Sequence, residues 1–224
     1  MILDPTNQFI SRITSHCDIT DKSILEVGCG RGRITGDLAQ YARRVTAVDP
    51  DAGALDAARS QVVAANVEFI CCSGEVLPLP RNSFDLAIFS LSLHHIPVGA
   101  MEESLIEAAS LLNEKGKIII IEPGMDGTLI EAEERFGIGD GNERPAKKAA
   151  QHAMQRMTGL SIGKSIRFHT LFYFADLSDF LDNMAPGWRP KSFIDEIGTF
   201  LERHRIGDRV VLYADRKMNI LMRR

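Results

Sequence analysis

Several residues in this sequence are spaced for chemistry. Gly28, Gly30 and Gly32 sit in ILEVGCGRGRIT, after an apolar β-type run and before a helical one. A turn stripped of Cβ atoms at the carboxyl end of a strand lets the backbone approach a ligand, and it takes angles that only glycine adopts cheaply. Asp49 closes the next β-branched run, VTAVD. A carboxylate there can accept both hydroxyls of a ribose, although Asp also commonly fills strand-ending turns. His94 and His95 follow the strand-like FDLAIFS, where an imidazole is a candidate general base. Glu122 ends the apolar run KIIIIEP, as a site acid or a simple turn acid. His169 and Tyr173 lie in RFHTLFYF, a stretch that fits either an acceptor-pocket wall or plain aromatic core.

The same residues exclude several chemistries. A dinucleotide fingerprint requires G-x-G-x-x-G, but position 33 is Arg, and no Gly-Lys-Ser/Thr follows to make a P-loop. The turn is therefore a nucleotide-like shelf without the pyrophosphate pattern. No further ligand is suitably spaced around His94 and His95, so no metal is expected. The four cysteines, Cys17, Cys29, Cys71 and Cys72, form no C-x-x-C pair, which predicts reduced thiols and a cytoplasmic protein. Cys71 and Cys72 are neighbours on a strand, so they point to opposite faces and are expected to be buried small hydrophobes. Trp188 is expected to be a packing residue.

Elements that would position these groups follow from periodicity. Residues 5–16 suggest a short helix with Phe9, Ile10 and Ile13 on one face. Strands are expected at 23–27, 45–49, 67–72, 84–90 and 117–123, and helices over RITGDLAQYA, 51–64 and 99–112, the last stopped by Asn113 and Gly116. KIIIIEP is wholly apolar in its centre, as strands buried on both faces of a parallel sheet are. Strand-helix alternation at this spacing means βαβ units in a doubly wound sheet. The rhythm fails after Pro123. Residues 124–172 hold helical pieces at 128–136 and about 145–158, a break at GIGDGN, and then RFHTLFYF. A segment of that length inside an α/β domain usually caps a site. A helix is expected over 176–185, and VVLY and NILM are β-type, as one long strand or a hairpin.

With 224 residues, 45% hydrophobic and 25% charged, the chain has the composition of an ordinary globular protein with room for one large domain. No apolar run approaches the ~20 residues of a membrane helix. The N-terminus lacks the basic-then-apolar order of a signal peptide. A net charge of −4 argues against a general nucleic-acid partner. Residues 203–224 are the exception, with seven basic side chains against two acids. The favoured reading is a charged edge strand protected from edge-to-edge pairing, over a basic patch for an anionic partner.

Five ordered motifs, E-V-G-C-G-R-G, V-T-A-V-D-P, S-G-E-V-L-P-L-P-R-N-S-F-D, L-S-L-H-H-I and L-L-N-E-K-G-K, resemble a class I S-adenosylmethionine-dependent methyltransferase of the ubiquinone/menaquinone-biosynthesis, small-molecule type. The resemblance covers 23–122. It implies a doubly wound, Rossmann-like, mostly parallel seven-stranded sheet; the segment 124–172, outside the resemblance, is expected from its length to be a helical cap insertion, and the chain length favours one domain over 1–224. The resemblance also implies S-adenosyl-L-methionine as cofactor. Glu26 and the turn Gly28, Cys29, Gly30 and Gly32 would hold the methionine end, Asp49 the ribose, and Pro50, Gly74 and Glu75 the adenine. Ser73 stands where the family often has Asp, and Ser90 and Leu91 would flank the sulfonium sulfur. The reaction would be in-line methyl transfer to a small-molecule acceptor, in which placement alone is worth ~7–11 kcal/mol. His94 or His95 would be a base only for an acceptor that must lose a proton.

Two alternatives remain at this stage. One is a nucleic-acid (RNA) methyltransferase, against which FSLSLHH lacks the Asn/Asp-Pro-Pro-aromatic signature and a strand-end Cys nucleophile. The other is a non-catalytic S-adenosylmethionine-binding module, because this chemistry demands no invariant catalytic side chain. A nicotinamide dehydrogenase is disfavoured by the misplaced third glycine. The oligomeric state is left open, a homodimer included.

Overall fold

A computed structural model describes residues 1–139, 143–187 and 191–223. Trp188 lies outside the described residues. The elements are β1 (Ile2–Leu3), α1 (Gln8–His16), β2 (Ser23–Val27), α2 (Thr35–Ala39), β3 (Arg44–Asp49), α3 (Ala52–Gln61), β4 (Val67–Cys71), β5 (Phe84–Ser90), α4 (Met101–Leu111), β6 (Leu112–Pro123), α5 (Thr128–Phe136), α6 (Arg144–Arg156), β7 (Leu160–Ile162), β8 (Ile166–Phe174), α7 (Leu177–Met184), α8 (Lys191–Arg203), β9 (Arg205–Ile206) and β10 (Arg209–Arg223). Short 3₁₀ turns at Leu93–His95 and Val98–Ala100 join β5 to α4.

The strands hydrogen-bond in the order β1-β8-β10-β6-β5-β2-β3-β4, with β7 and β9 also pairing to β10. Among the described residues the sheet thus has ten strands, not the expected seven. It is also mixed: β2 pairs in parallel with β3 and β5, β3 with β4 and β5 with β6, while β1·β8, β7·β10 and β9·β10 are antiparallel. The extra strands β1, β7 and β9 have two or three residues each, too few to show a period. The basic C-terminal stretch is not an edge strand. It is one fifteen-residue strand, β10, placed between β8 and β6. Charge content misleads here because several of the cations lie at or beyond the strand's ends. An exception is Arg216, which is buried and donates from Nε to Thr170 Oγ1 at 3.0 Å.

The chain divides into two compact units. The larger holds residues 9–122, 146–166 and 217–224. All five residues of β2 are buried, as are Ile118, Ile119, Ile120 and Ile121 on β6. Each of the buried Ile, Leu and Val side chains contributes about 1.5–3 kcal/mol, and apolar residues on both faces are what a strand covered on both sides requires. Leu105, Ala108 and Leu111 of α4 and Ala150, Ala153 and Met154 of α6 pack into this core. Asp51 caps α3, accepting from the backbone N–H of Gly53 and Ala54 at 2.8 and 3.1 Å. Strand β6 begins five residues before the expected start at 117, directly where α4 ends. Asn113 follows the helix and donates from Nδ2 to Asp85 Oδ1 at 2.7 Å. α2 is shorter than expected, spanning only Thr35–Ala39.

The smaller unit holds residues 1–8, 123–145 and 167–216. Phe172 and Phe174 of β8, Leu212 and Ala214 of β10, and apolar residues of α5, α7 and α8 form its core. Gly137, at φ 63°, ends α5, and Asp176 caps α7 by accepting from Asp179 N at 2.9 Å. α8 is not among the expected elements, although Ile197, Phe200 and Leu201 follow helical spacing and are buried.

Candidate functional site

In the larger unit the carboxyl ends of β2, β3 and β5 surround a cavity of about 660 Å³, within the range of small-molecule sites. Its floor is the glycine turn. Gly28, Gly30 and Gly32 all have positive φ, at 76°, 53° and 78°. Each does a different job. A Cβ on Gly28 would lie 2.4 Å from Ser92 Cβ, so Gly28 lets the β5 end close over the turn. A Cβ on Gly32 would lie 2.9 Å from Val62 Cγ2 and 3.2 Å from Ala58 Cβ, so Gly32 admits the α3 end. Gly32 is the one glycine of the three that does not line the cavity. Gly30 does line it and has nothing within 4 Å of where its Cβ would sit.

Asp49 fastens this floor. Its Oδ2 accepts from Gly30 N at 2.8 Å and its Oδ1 from Asp51 N at 2.9 Å. A carboxylate has about four acceptor sites, so Asp49, which lines the cavity, keeps acceptor capacity beyond these two bonds. Glu26, 2% exposed, accepts from Thr35 Oγ1 at 2.7 Å. Burial pushes its carboxyl up to about 7; the Thr35 hydrogen bond and Arg33 oppose that rise, and Asp49 adds to it. Arg33 NH2 donates to Ser90 Oγ at 3.2 Å, and its guanidinium lies 4.0 Å over the Phe9 ring.

The folded chain therefore holds the Glu26 proton to higher pH than the unfolded chain, whose carboxyl titrates near 4.5. Stability present below pH ~4.5 is lost as pH rises through about 7, by an amount on the order of 3 kcal/mol. Glu26→Gln keeps an acceptor for Thr35 and cannot ionise. Its thermal midpoint is expected to gain on wild type between pH 5 and pH 8, and parallel curves would refute the assignment.

Most of the sequence-predicted residues meet at this cavity. Glu26, Gly28, Cys29, Gly30, Asp49, Pro50, Ser73, Gly74, Glu75, Ser90, Leu91 and His95 line it. Leu91 holds φ at 56° while its N–H donates to Ile121 O at 2.7 Å, a strained geometry of the kind concentrated at functional sites. His94 is on the same turn as His95 but is buried and off the cavity wall. Its Nδ1 lies 2.6 Å from Glu122 Oε2, and its ring centroid is 4.1 Å from that of His95. Glu122 is likewise buried, at the end of β6. His169 and Tyr173 belong to the smaller unit. There His169 meets the Tyr213 ring edge-on at 5.2 Å, and Arg209 lies 5.7 Å over the Tyr173 ring.

The cysteine expectation is corrected. Cys71 is exposed, its thiol 3.6 Å from Pro50 O, and Cys72 is half-buried on the cavity wall. β4 ends the sheet order, so its last residues lack the cover a central strand would have. Burial pushes the Cys29 and Cys72 thiols up. Arg31, Arg33, Ser92, Ile96 and Pro97 also line the cavity and were missed. The only signal for Arg33 was its occupation of a glycine position.

Residues 25–120 match the family described as "Methyltransferase domain". A Dictyostelium discoideum protein named as a methyltransferase is 30% identical over 119 residues, 53% of this chain and 43% of that one. The ubiquinone/menaquinone biosynthesis C-methyltransferase UbiE of Hahella chejuensis is 26% identical over 107 residues, 45% and 42% of the two chains. The chain spans about half the length of the curated relatives it matches. The structure of the N-methyltransferase NodS from Bradyrhizobium japonicum, in complex with S-adenosyl-L-homocysteine, superposes with TM-score 0.56 at 14% identity, covering 96% of this chain and 84% of that one. At that identity the likeness concerns the fold. No helix among the described residues is long and apolar enough to cross a membrane.

Proposed function

We propose that this chain is an S-adenosyl-L-methionine-dependent methyltransferase acting on a small-molecule acceptor in the cytoplasm. The observation that carries the reading is the bare Gly30 shelf, open above and tied to Asp49. The residues present fit the cofactor. Asp49 keeps acceptor capacity for the ribose hydroxyls. Pro50, Ser73, Gly74 and Glu75 lie together on the cavity wall for the adenine. Glu26 is a buried acid whose ionisation a neighbouring ammonium would favour. Ser90 and Leu91 flank the donor sulfur, and His95 is at hand for the acceptor. When bound, the cofactor supplies a methyl group already activated by its sulfonium. The chain's part is to orient it and exclude water. Segment 124–172 is assigned as the acceptor cap on its length, and His169 and Tyr173 as acceptor contacts on their place in the aromatic stretch RFHTLFYF. The related small-molecule methyltransferases support a small acceptor over RNA.

Thermal unfolding tests the reading. S-adenosylhomocysteine at 100 times its dissociation constant should add about 2.7 kcal/mol of stability, while NAD adds none. Equal shifts with both, or none with either, would remove the assignment.

A further inference from the structure

The floor and walls of the cavity account for the cofactor but not for Glu122. Its side chain is 7% exposed and that of His94 is 2% exposed, and they meet at 2.6 Å. The meeting is dictated by the sheet. β5 and β6 are parallel neighbours with Ser90 opposite Ile121. Glu122 is therefore one residue beyond Ile121, level with Leu91, which lines the cavity. The turn after β5 then carries His94 back over the end of β6. Only one carboxylate oxygen is used. Oε1 of Glu122 is buried and has no hydrogen-bond partner among the described residues. A buried acceptor without a donor keeps its full desolvation cost until a donor reaches it.

We propose that Oε1 of Glu122 receives the N–H or O–H of the methyl acceptor, with His94 holding Oε2 and so aiming the carboxylate. This rests on the cavity being the cofactor site. It narrows the acceptor to a protic nucleophile, an amine or a hydroxyl, and excludes acceptors with no hydrogen on the reacting atom. The proton balance is complete. The acceptor's N–H or O–H bond gives its proton to Oε1 and leaves its electron pair on the acceptor atom. The new bond to the methyl carbon uses an acceptor lone pair. The bond broken is carbon to sulfonium sulfur, with its pair staying on sulfur. The carboxylate and the sulfonium both end neutral. His94 is a positioning residue, because it acts through Glu122.

Matched probes test this on the full chain saturated with S-adenosylhomocysteine. Aniline is compared with N,N-dimethylaniline, both uncharged at neutral pH, and phenol with anisole, by ligand-detected NMR. Wild type is expected to prefer the donor-bearing member of at least one pair by tenfold or more; the pair that discriminates tells amine from hydroxyl. In Glu122→Gln the carbonyl serves His94 and the amide NH2 takes the place of Oε1, so a donor faces a donor. The preference should fall at least fivefold while S-adenosylhomocysteine affinity changes less than twofold. His94→Asn still donates to Oε2 and should retain the preference. Equal binding within both pairs, no binding by any probe, or a preference that survives Glu122→Gln would overturn the proposal. If Glu122→Gln does not fold, the wild-type comparison decides alone. Loss of S-adenosylhomocysteine binding by wild type would instead sink the cofactor reading.

Discussion

Replacing Asp49 with alanine is expected to weaken S-adenosylhomocysteine binding by a factor on the order of 100. A hydrogen bond to a charged group contributes about 1.5–3 kcal/mol. Two ribose hydroxyls on one carboxylate therefore involve at least about 3 kcal/mol, and each 1.4 kcal/mol is tenfold in affinity. The substitution also releases Gly30 N and Asp51 N, which Asp49 now holds at 2.8 and 2.9 Å. The floor of the cavity would loosen along with the loss of ribose contacts. Asp49→Asn separates the two effects: it keeps one acceptor oxygen but no charge, and should lose about tenfold. Calorimetry of both variants, with ligand-free melting as a control, checks this. An unchanged dissociation constant in Asp49→Ala would mean that the ribose lies elsewhere.

The second large effect separates two glycines only two positions apart. Gly28→Ala should damage the fold. Its φ of 76° costs an L residue about 1–2 kcal/mol, and its Cβ would fall 2.4 Å from Ser92 Cβ. Overpacking of that kind adds about 1–3 kcal/mol. Together these come to about 2–5 kcal/mol, which in a chain of this size lowers the melting temperature by roughly 10 °C. Gly30→Ala bears the φ penalty without the clash, since nothing lies within 4 Å of its Cβ position. Its methyl group would instead occupy the open shelf. Gly30→Ala is expected to melt within a few degrees of wild type and to lose S-adenosylhomocysteine binding about tenfold, because its methyl group overpacks the ligand at a cost of about 1–3 kcal/mol. Equal melting temperatures for the two variants would contradict the division of roles.

Local signals carried much of the site into view before any tertiary contact was known. The glycine turn, the acid closing VTAVD, the serine that ends FDLAIFS and the leucine after it stand at strand ends, and strand ends are marked by a change of period. In a parallel sheet every such end lies on one side, so residues far apart in sequence converge without further specification. Glu26, Asp49, Gly74 and Ser90 all reached the same cavity for that reason. Gly32 did not, because its job is to admit Val62 and Ala58, a contact the turn's own residues do not encode.

The sequence alone determined the order of βα units in residues 23–122, the bare turn and the acid beside it, because each depends on neighbours within a few residues. Only the tertiary structure decided that β10 runs between two strands, that His94 turns inward to Glu122 while His95 faces the cavity, and that Cys71 is exposed. Those outcomes are set by which strand lies alongside and what covers it. Strand partners are chosen by the summed burial of whole faces, and no residue carries that sum by itself.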